Sequence, residues 1–313
     1  MRKISIIPIC MALLLLLSCG GGETAGPKEI RRLDRALISG DPVTDSVMRG
    51  GAALLFRISG YGEFDDSSAI RYAAMPSISI HTRAVDSAFA DLGALEVNLG
   101  DMLGRAATLL PGIKVGDVFA IISPFNQSVL VSDSTLFIGL NHYLGTSYAP
   151  YAYFPDYLRS RKVPSRIIPD VAEALVRGAY PFQYGGRTVG RLFYEGAVAE
   201  AVMQLTGEDE AVVLGYTPEQ MQWLEDNESD MWNALIERRI LFSGNPDDSR
   251  ALVFPGPVTS SLHPEAPGAA GRFVGHRLVR SYLDKHSRLP LDTLLSPEFY
   301  NSEDALSNSR YTP

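Results

Sequence analysis

The sequence predicts an α+β fold that is mostly helical and contains one small β-sheet. Apolar residues recur at spacings of three and four in segments near both ends of the chain, which is the period of an amphipathic helix. Short runs rich in β-branched residues lie between these segments and predict strands. Because helices and strands are segregated along the chain rather than alternating, the pattern favours α+β.

Seven segments have the helical spacing. Pro111 and Gly112 end the third of them, and prolines lie near the first turn of two others, where a missing N–H is harmless. The predicted helices are residues 47–59, 84–90, 92–110, 169–177, 188–205, 218–242 and 272–286.

Three strands are predicted between the two helical regions. They are residues 118–122, 128–131 and 135–140. The intervening segment 124–127, Pro-Phe-Asn-Gln, has the composition of a turn. We therefore expect the first two strands to form a hairpin.

The N-terminus is typical of a bacterial lipoprotein signal. Arg2 and Lys3 precede an apolar run at residues 4–17, which is too short for the roughly 20 residues of a membrane-spanning helix. Ser18 and Cys19 then form a lipobox junction. We predict a signal peptide at residues 1–18 and acylation of Cys19, for example with palmitate. An uncleaved N-terminal membrane anchor is the alternative.

The rest of the chain is divided into a tether and a folded part. Residues 19–28, rich in glycine, predict a flexible tether behind the lipidated cysteine. Residues 29–313 show no second low-complexity stretch and predict a single globular domain, although this length also permits two.

Composition excludes several function classes. With 46% hydrophobic and 20% charged residues the chain resembles a folded globular protein. Its net charge of −8 argues against nucleic acid and against electrostatic binding to an anionic membrane. Cys10 leaves with the signal peptide and Cys19 is consumed by lipid, so no thiol remains for a disulfide, a metal site or a nucleophile.

The catalytic motifs of the common hydrolases and nucleotide-binding proteins are missing. The sequence contains no GxSxG, P-loop, HExxH or GxGxxG after a strand. A zinc hydrolase typically places two ligands one helical turn apart, and no pair of histidines has that spacing. The five histidines are His81, His142, His263, His276 and His286.

Three segments nevertheless contain candidate site residues. His142, beside Asn141 at the end of the third strand, is either a hydrogen-bonded structural histidine or the remnant of a metal or ligand site. Glu195 lies in a helix where Gly196 permits close packing, and it is either a surface or ion-pair residue or a former ligand. His276 follows a glycine-rich segment that predicts tight helix packing, with phosphate binding at the helix N-terminus as the alternative.

Taken in order, several segments of the chain resemble the gliding-motility lipoprotein GldB family of the Bacteroidetes. The resemblance covers nearly the whole mature chain and depends on the shared order of the segments together with the lipobox. The matching segments are residues 32–37, 140–145, 168–171, 180–182, 215–220, 223–228, 231–232, 267–283 and 309–313.

The chain is more distantly similar to a predicted zinc-protease group that carries HExxH. This resemblance implies a minimal metallopeptidase-like, zincin-type fold in which the HExxH motif has been lost. It places Asn141 and His142 where those proteases have their first histidine and general-base glutamate, and Glu195 in the region of the third ligand. These residues and His276 would then form a vestigial site. With so few ligands, we expect no bound metal and no cofactor.

Two functions follow from these resemblances. The first is a non-enzymatic envelope lipoprotein, a pseudo-peptidase that supports gliding motility and type IX secretion by binding other envelope proteins. The second is an atypical metal-dependent hydrolase using His142, Glu195 and His276. Gly20 in place of aspartate after the lipidated cysteine favours the outer membrane, with a periplasmic or a surface-facing body.

A glycan-binding lipoprotein is disfavoured by the placement of the two tryptophans. Trp223 and Trp232 are nine residues apart, so on the single helix predicted at residues 218–242 they would lie on opposite faces.

Overall fold

The computed structural model describes residues 26–125, 127–287 and 289–313. The fold is α+β, as the sequence predicts, with a four-stranded sheet in which three strands lie between helical regions of the chain and one, β1, precedes α1. The predicted signal peptide, Cys19 and most of the predicted tether lie outside the described residues. The strands are β1 Arg31–Arg32, β2 Val118–Ile121, β3 Val129–Ser132 and β4 Thr135–Gly139.

The strand order β1-β2-β4-β3 corrects one expectation from the sequence. β2 pairs in parallel with β1 and with β4, whereas β3 pairs antiparallel with β4. The predicted hairpin between β2 and β3 is therefore wrong, and the hairpin instead joins β3 to β4 through Asp133, whose φ is +52°. β2 and β4 are almost wholly apolar and take the buried centre, while the half-buried β3 takes the edge.

Six helices precede the central strands. Asp45 and Asp65 cap α2 and α3 by accepting hydrogen bonds from backbone N–H groups of the first turn. The predicted helices at 47–59, 84–90 and 92–110 correspond to α2, α5 and α6 within two residues. The six are α1 Leu33–Ile38, α2 Ser46–Ile58, α3 Asp66–Ala74, α4 Pro76–Ser79, α5 Thr82–Ala88 and α6 Gly93–Leu109.

Helices also dominate after β4. Short 3-10 turns at Leu140–His142, Ala149–Tyr151 and Pro164–Arg166 lead into them. The α-helices are α7 Asp156–Arg159, α8 Ile167–Ala179, α9 Thr188–Thr206, α10 Glu210–Leu214, α11 Pro218–Asp226, α12 Glu228–Glu237, α13 Pro246–Val253, α14 Ala270–Leu283, α15 Leu291–Leu294, α16 Pro297–Tyr300 and α17 Glu303–Ser309.

The single helix predicted at residues 218–242 is wrong, because Asn227 interrupts it. Asn227 leaves helical geometry, and its side-chain amide donates a hydrogen bond of 2.8 Å to the Trp223 carbonyl oxygen, which caps α11. α12 then ends at Glu237. Trp223 belongs to α11 and Trp232 to α12, so the expected placement on opposite faces of one helix does not apply.

Helix α9 lies at the centre of the helical region. It is buried along most of its length and contacts α6, α8, α13 and α14. Gly275 of α14 confirms the predicted tight packing, because a Cβ at this position would overlap the Leu192 carbonyl oxygen of α9. Gly196 of α9 faces the Gly275 carbonyl in the same way, and Gly271 faces Leu252 of α13. The backbones of α9 and α14 therefore approach closely.

One hydrophobic cluster joins the sheet to helices that precede β2 in the chain and to helices that follow β4. Its members include Leu99 of α6, Phe119 of β2, Val198 of α9 and Val274 of α14. Lys28 packs against α6, since its backbone N–H donates to the Glu96 carbonyl oxygen at 2.9 Å. Among the helices of the described residues, none has the length and apolar character needed to cross a membrane.

Candidate functional site

A cavity of about 600 Å³ opens beside the sheet, bounded by β3, the turn after β4, and helices α7, α8, α9 and α14. Both His142 and Glu195 face it. The lining combines aromatic, cationic and acidic side chains: Phe125, Gln127, Ser128, Val129, His142, Tyr143, Phe154, Leu158, Arg161, Lys162, Asp170, Glu173, Ala174, Arg177, Arg191, Glu195, Val253, Phe254, Pro255 and Arg272.

His142 lies in the 3-10 turn that follows β4. Its Nε2 is 3.1 Å from the Ser123 hydroxyl, and its ring meets Phe125 edge-on with centroids 5.3 Å apart. Burial, followed by the charge of Lys162, lowers the pKa of His142 to about 3. The imidazole is therefore neutral at physiological pH, and it lies within hydrogen-bond distance of Ser123 beside the turn.

Asn141 is fully buried, and its side chain hydrogen-bonds the backbone of Ser123. Its Oδ1 accepts from the Ser123 N–H at 3.0 Å, and its Nδ2 donates to the Ser123 carbonyl oxygen at 2.7 Å. The side-chain amide thus occupies both polar backbone groups of the residue two positions beyond β2. Asn141 is not among the residues that line the cavity.

Glu195 is an ion-pair partner buried to 1% exposure. Arg177 donates two hydrogen bonds to its carboxylate, at 3.2 and 2.5 Å, and Arg191 donates one at 2.8 Å. Nε of Arg272 lies 3.5 Å from the same group. Burial opposes ionisation, but the charges of Arg177, Arg272 and Arg191 outweigh it, so the pKa of Glu195 lies below its ordinary value.

Two further carboxylates on α8 complete the acidic part of the lining. Glu173 lies 2.9 Å from both Arg177 and Arg272, and these cations overcome burial and lower the pKa of Glu173. Asp170 lies 2.5 Å from Arg166. All three carboxylates of the cavity are thus engaged by arginines.

His276 belongs to a different cluster. Its Nδ1 is 2.5 Å from Glu210 and its Nε2 is 3.2 Å from Glu200, which also lies 3.5 Å from Arg280. Burial lowers the pKa of His276, but hydrogen bonds and charge from the two glutamates outweigh it and raise the pKa above its ordinary value. Since both ring nitrogens face carboxylates, the protonated form donates to each.

The structure therefore brings together only part of the candidate set. His142 and Glu195 face one cavity, whereas His276 is absent from its lining and pairs with Glu200 and Glu210. In the ranges that the structure describes, no group of three or more His, Cys, Asp and Glu side chains is placed to hold a metal ion.

The sequence alone did not indicate the cationic side chains that line the cavity. Glu173 and Arg177, and likewise Arg191 and Glu195, are four residues apart, a helical spacing that could have indicated two ion pairs. Arg272 comes from α14, far along the chain, and no local pattern relates it to α8 and α9.

Fold and cavity together define a mostly helical α+β protein with an open, charged cavity. The chain belongs to the family described as Gliding motility protein GldB, whose model matches residues 29–313. Family membership indicates a role in gliding motility, and the lipoprotein label in the family's name fits a membrane-anchored protein. No curated protein and no solved structure matches the chain, so the expected metallopeptidase-like fold has no support from known structures.

Proposed function

We propose that the protein is a non-enzymatic envelope lipoprotein that supports gliding motility and type IX secretion by binding other envelope proteins. Membership in the gliding-motility family supports the process. The observation that carries the choice of binding over catalysis is the state of Glu195, whose carboxylate is held by arginines and is not free to act on a substrate or a metal.

The chemistry of the cavity supports this choice. A catalytic zinc needs three protein ligands and an open position. His142 directs Nε2 at Ser123, and Glu195 would have to break its hydrogen bonds to Arg177 and Arg191 before binding a metal. A carboxylate whose pKa is lowered by ion pairing is also a weak general base at neutral pH.

A degenerate peptidase ancestry fits the same residues. In this proposal His142 and Glu195 are remnants of a metal site on a zincin-type fold, with Asn141 as a further remnant. The presence of His142 and Glu195 in one cavity supports the idea. The anchor is lipid on Cys19, and Gly20 after it favours the outer membrane.

Crosslinking in gliding cells tests the proposed function. Lys114 and Lys285 are exposed, so a membrane-permeable lysine-reactive reagent can join the tagged protein to its neighbours before purification under denaturing conditions. We expect a defined envelope protein of the gliding or secretion machinery to be captured. A tagged, unrelated outer-membrane lipoprotein is the control, and capture of the same proteins with both baits would contradict the proposal.

Metal analysis tests the hydrolase alternative. The membrane-purified protein is expected to contain zinc only in substoichiometric amounts. Stoichiometric zinc that disappears in a folded His142→Ala variant would overturn the non-enzymatic assignment and favour an atypical hydrolase.

A further inference from the structure

The cavity is positively charged in an acidic protein. Five cationic side chains line it against three carboxylates, an excess of two positive charges: Arg161, Lys162, Arg177, Arg191 and Arg272 against Asp170, Glu173 and Glu195. His142 adds no charge at neutral pH, because its pKa is about 3. The whole chain carries a net charge of −8, so this cavity differs in sign from the protein around it.

Arg272 contributes hydrogen-bond donors that face Glu173 and Glu195 without good alignment. Its side chain is 7% exposed and its Nη2 lies 2.9 Å from Glu173, yet neither Nε nor Nη2 makes an aligned hydrogen bond in the described part of the chain. The Arg272 guanidinium is thus paired in charge with Glu173, but its hydrogen bonding is incomplete. Buried donors of this kind usually have a partner, and an oxygen from a bound ligand would supply one.

Lys162 contributes a cation that forms no salt bridge with any described residue, although the charge of Asp170 in the same cavity stabilises its protonated form. Its ammonium lies over three aromatic rings, at 5.0 Å from the centre of Phe125, 5.1 Å from Tyr151 and 4.6 Å from Phe154. Within residues 26–125, 127–287 and 289–313, Asp170 forms its ion pairs with Arg166 and Arg161 and acts on Lys162 only through its charge. Burial lowers the pKa of Lys162 and outweighs the opposing charge of Asp170, so a ligand carboxylate would offset the remaining cost.

Apolar side chains lie in the same cavity. Phe125, Phe154 and Leu158 line it near Lys162, and Phe254, which is 51% exposed, lines it from the end of α13. A volume of about 600 Å³ lies within the range typical of pockets for small ligands, so the cavity suits a short segment and not a folded surface.

We propose that this cavity binds an acidic peptide segment in which a carboxylate neighbours an apolar side chain. The carboxylate binds between Lys162 and Arg272, and the apolar side chain packs against Phe154 and Phe254. This assignment rests on the proposed function in one respect, namely that the segment belongs to an envelope protein.

Calorimetric titration of the membrane-purified protein in detergent tests the assignment with two matched probes. The first is the acetylated and amidated tripeptide Phe-Asp-Phe, and the second replaces its aspartate with asparagine. Because a charge-assisted hydrogen bond is lost, we expect the neutral peptide to bind about tenfold more weakly. Lys162→Met should weaken binding of the acidic peptide by a similar factor. Lys114→Met removes an exposed lysine outside the cavity and should leave that binding unchanged.

Several results would overturn the assignment. Equal binding of the two peptides by the parent protein would overturn it. This comparison uses no variant, so a folding defect cannot obscure the outcome. Absence of binding by the acidic peptide does the same. Tighter binding of phenyl phosphate than of the acidic peptide would also overturn it and assign the cavity to a phosphate ligand. If crosslinking identifies an envelope partner while the acidic peptide does not bind, the cavity assignment fails and the proposed function stands.

Discussion

His142 and His276 are both buried, yet their surroundings shift their pKa values in opposite directions. His142 is enclosed by aromatic rings near the cation Lys162, which favours the neutral form. His276 lies between two glutamates, which favour the protonated form. One residue type therefore makes opposite contributions to the pH dependence of stability.

The first prediction concerns acid destabilisation by His142. Its folded pKa of about 3 lies below the unfolded value of about 6.5, so its contribution is present above pH 6.5 and is lost as pH falls towards 3. Between pH 7 and pH 5 the parent should lose about 2 kcal/mol more unfolding free energy than His142→Gln. Denaturant unfolding at both pH values measures this difference. Identical pH dependence in parent and variant would contradict it, and His286→Gln, at an exposed histidine, is the control.

The second prediction concerns the buried carboxylate of Glu195. Glu195→Gln keeps the shape of the side chain but leaves Arg177, Arg191 and Arg272 with one carboxylate fewer, at an expected cost of about 3–5 kcal/mol in unfolding free energy. Glu303→Gln is the matched control, because Glu303 forms an exposed ion pair with Arg187.

Urea denaturation of the two variants decides this second prediction. Replacing Glu303 in the exposed pair should lower the free energy of unfolding by less than about 1 kcal/mol. Equal costs at the two positions would show that the arginines around Glu195 do not depend on its charge.

At the scale of elements, local periodicity predicted where the helices lie better than it predicted which strands pair or where a helix breaks. α6 and α9 follow from apolar spacing and terminal residues, and both were predicted closely. The pairing of β2 with β4 depends on which strands are buried in the finished sheet, and the turn residues at 124–127 gave no information about that. At the break after α11 the Asn227 side chain donates a hydrogen bond to the Trp223 carbonyl oxygen, and no apolar pattern contains such a contact.

The third prediction tests the close packing of α9 and α14. Gly275→Ala places a methyl group against the Leu192 carbonyl oxygen, so overpacking should cost about 1–3 kcal/mol. Gly50→Ala is the control, because Gly50 lies inside α2 with open space around it and should gain up to about 1 kcal/mol in helix propensity. Thermal unfolding compares the two, and a Gly275→Ala variant that melts with the parent would contradict the packing.

At the scale of the whole molecule, the sequence indicated only two of the residues that line the cavity. His142 and Glu195 were found through residue type and family resemblance, and the structure places both in the lining. The arginines and Lys162 were not found, because the lining gathers residues from the chain between Phe125 and Arg272 and only their assembly creates the excess of positive charge. Long-range assembly of this kind leaves no local pattern.

The fourth prediction concerns the anchor. Cys19→Ala removes the only thiol that the lipobox can acylate, so the protein should no longer partition into membranes through lipid. Cell fractionation and metabolic labelling with a fatty acid check this, with Cys10→Ala as the control that should remain lipidated. Unchanged lipid labelling of the Cys19→Ala protein would contradict the lipoprotein assignment.

The central claim is that the cavity acts by binding and not by chemistry, and the gliding of cells that carry His142→Gln tests it most directly. Glutamine is neutral, as His142 is at physiological pH, and it can hydrogen-bond Ser123, but it supplies no acid–base group and no imidazole metal ligand. We predict that these cells glide like the parent, whereas Lys162→Met reduces gliding. Loss of gliding in a stably folded and normally anchored His142→Gln protein would contradict the claim.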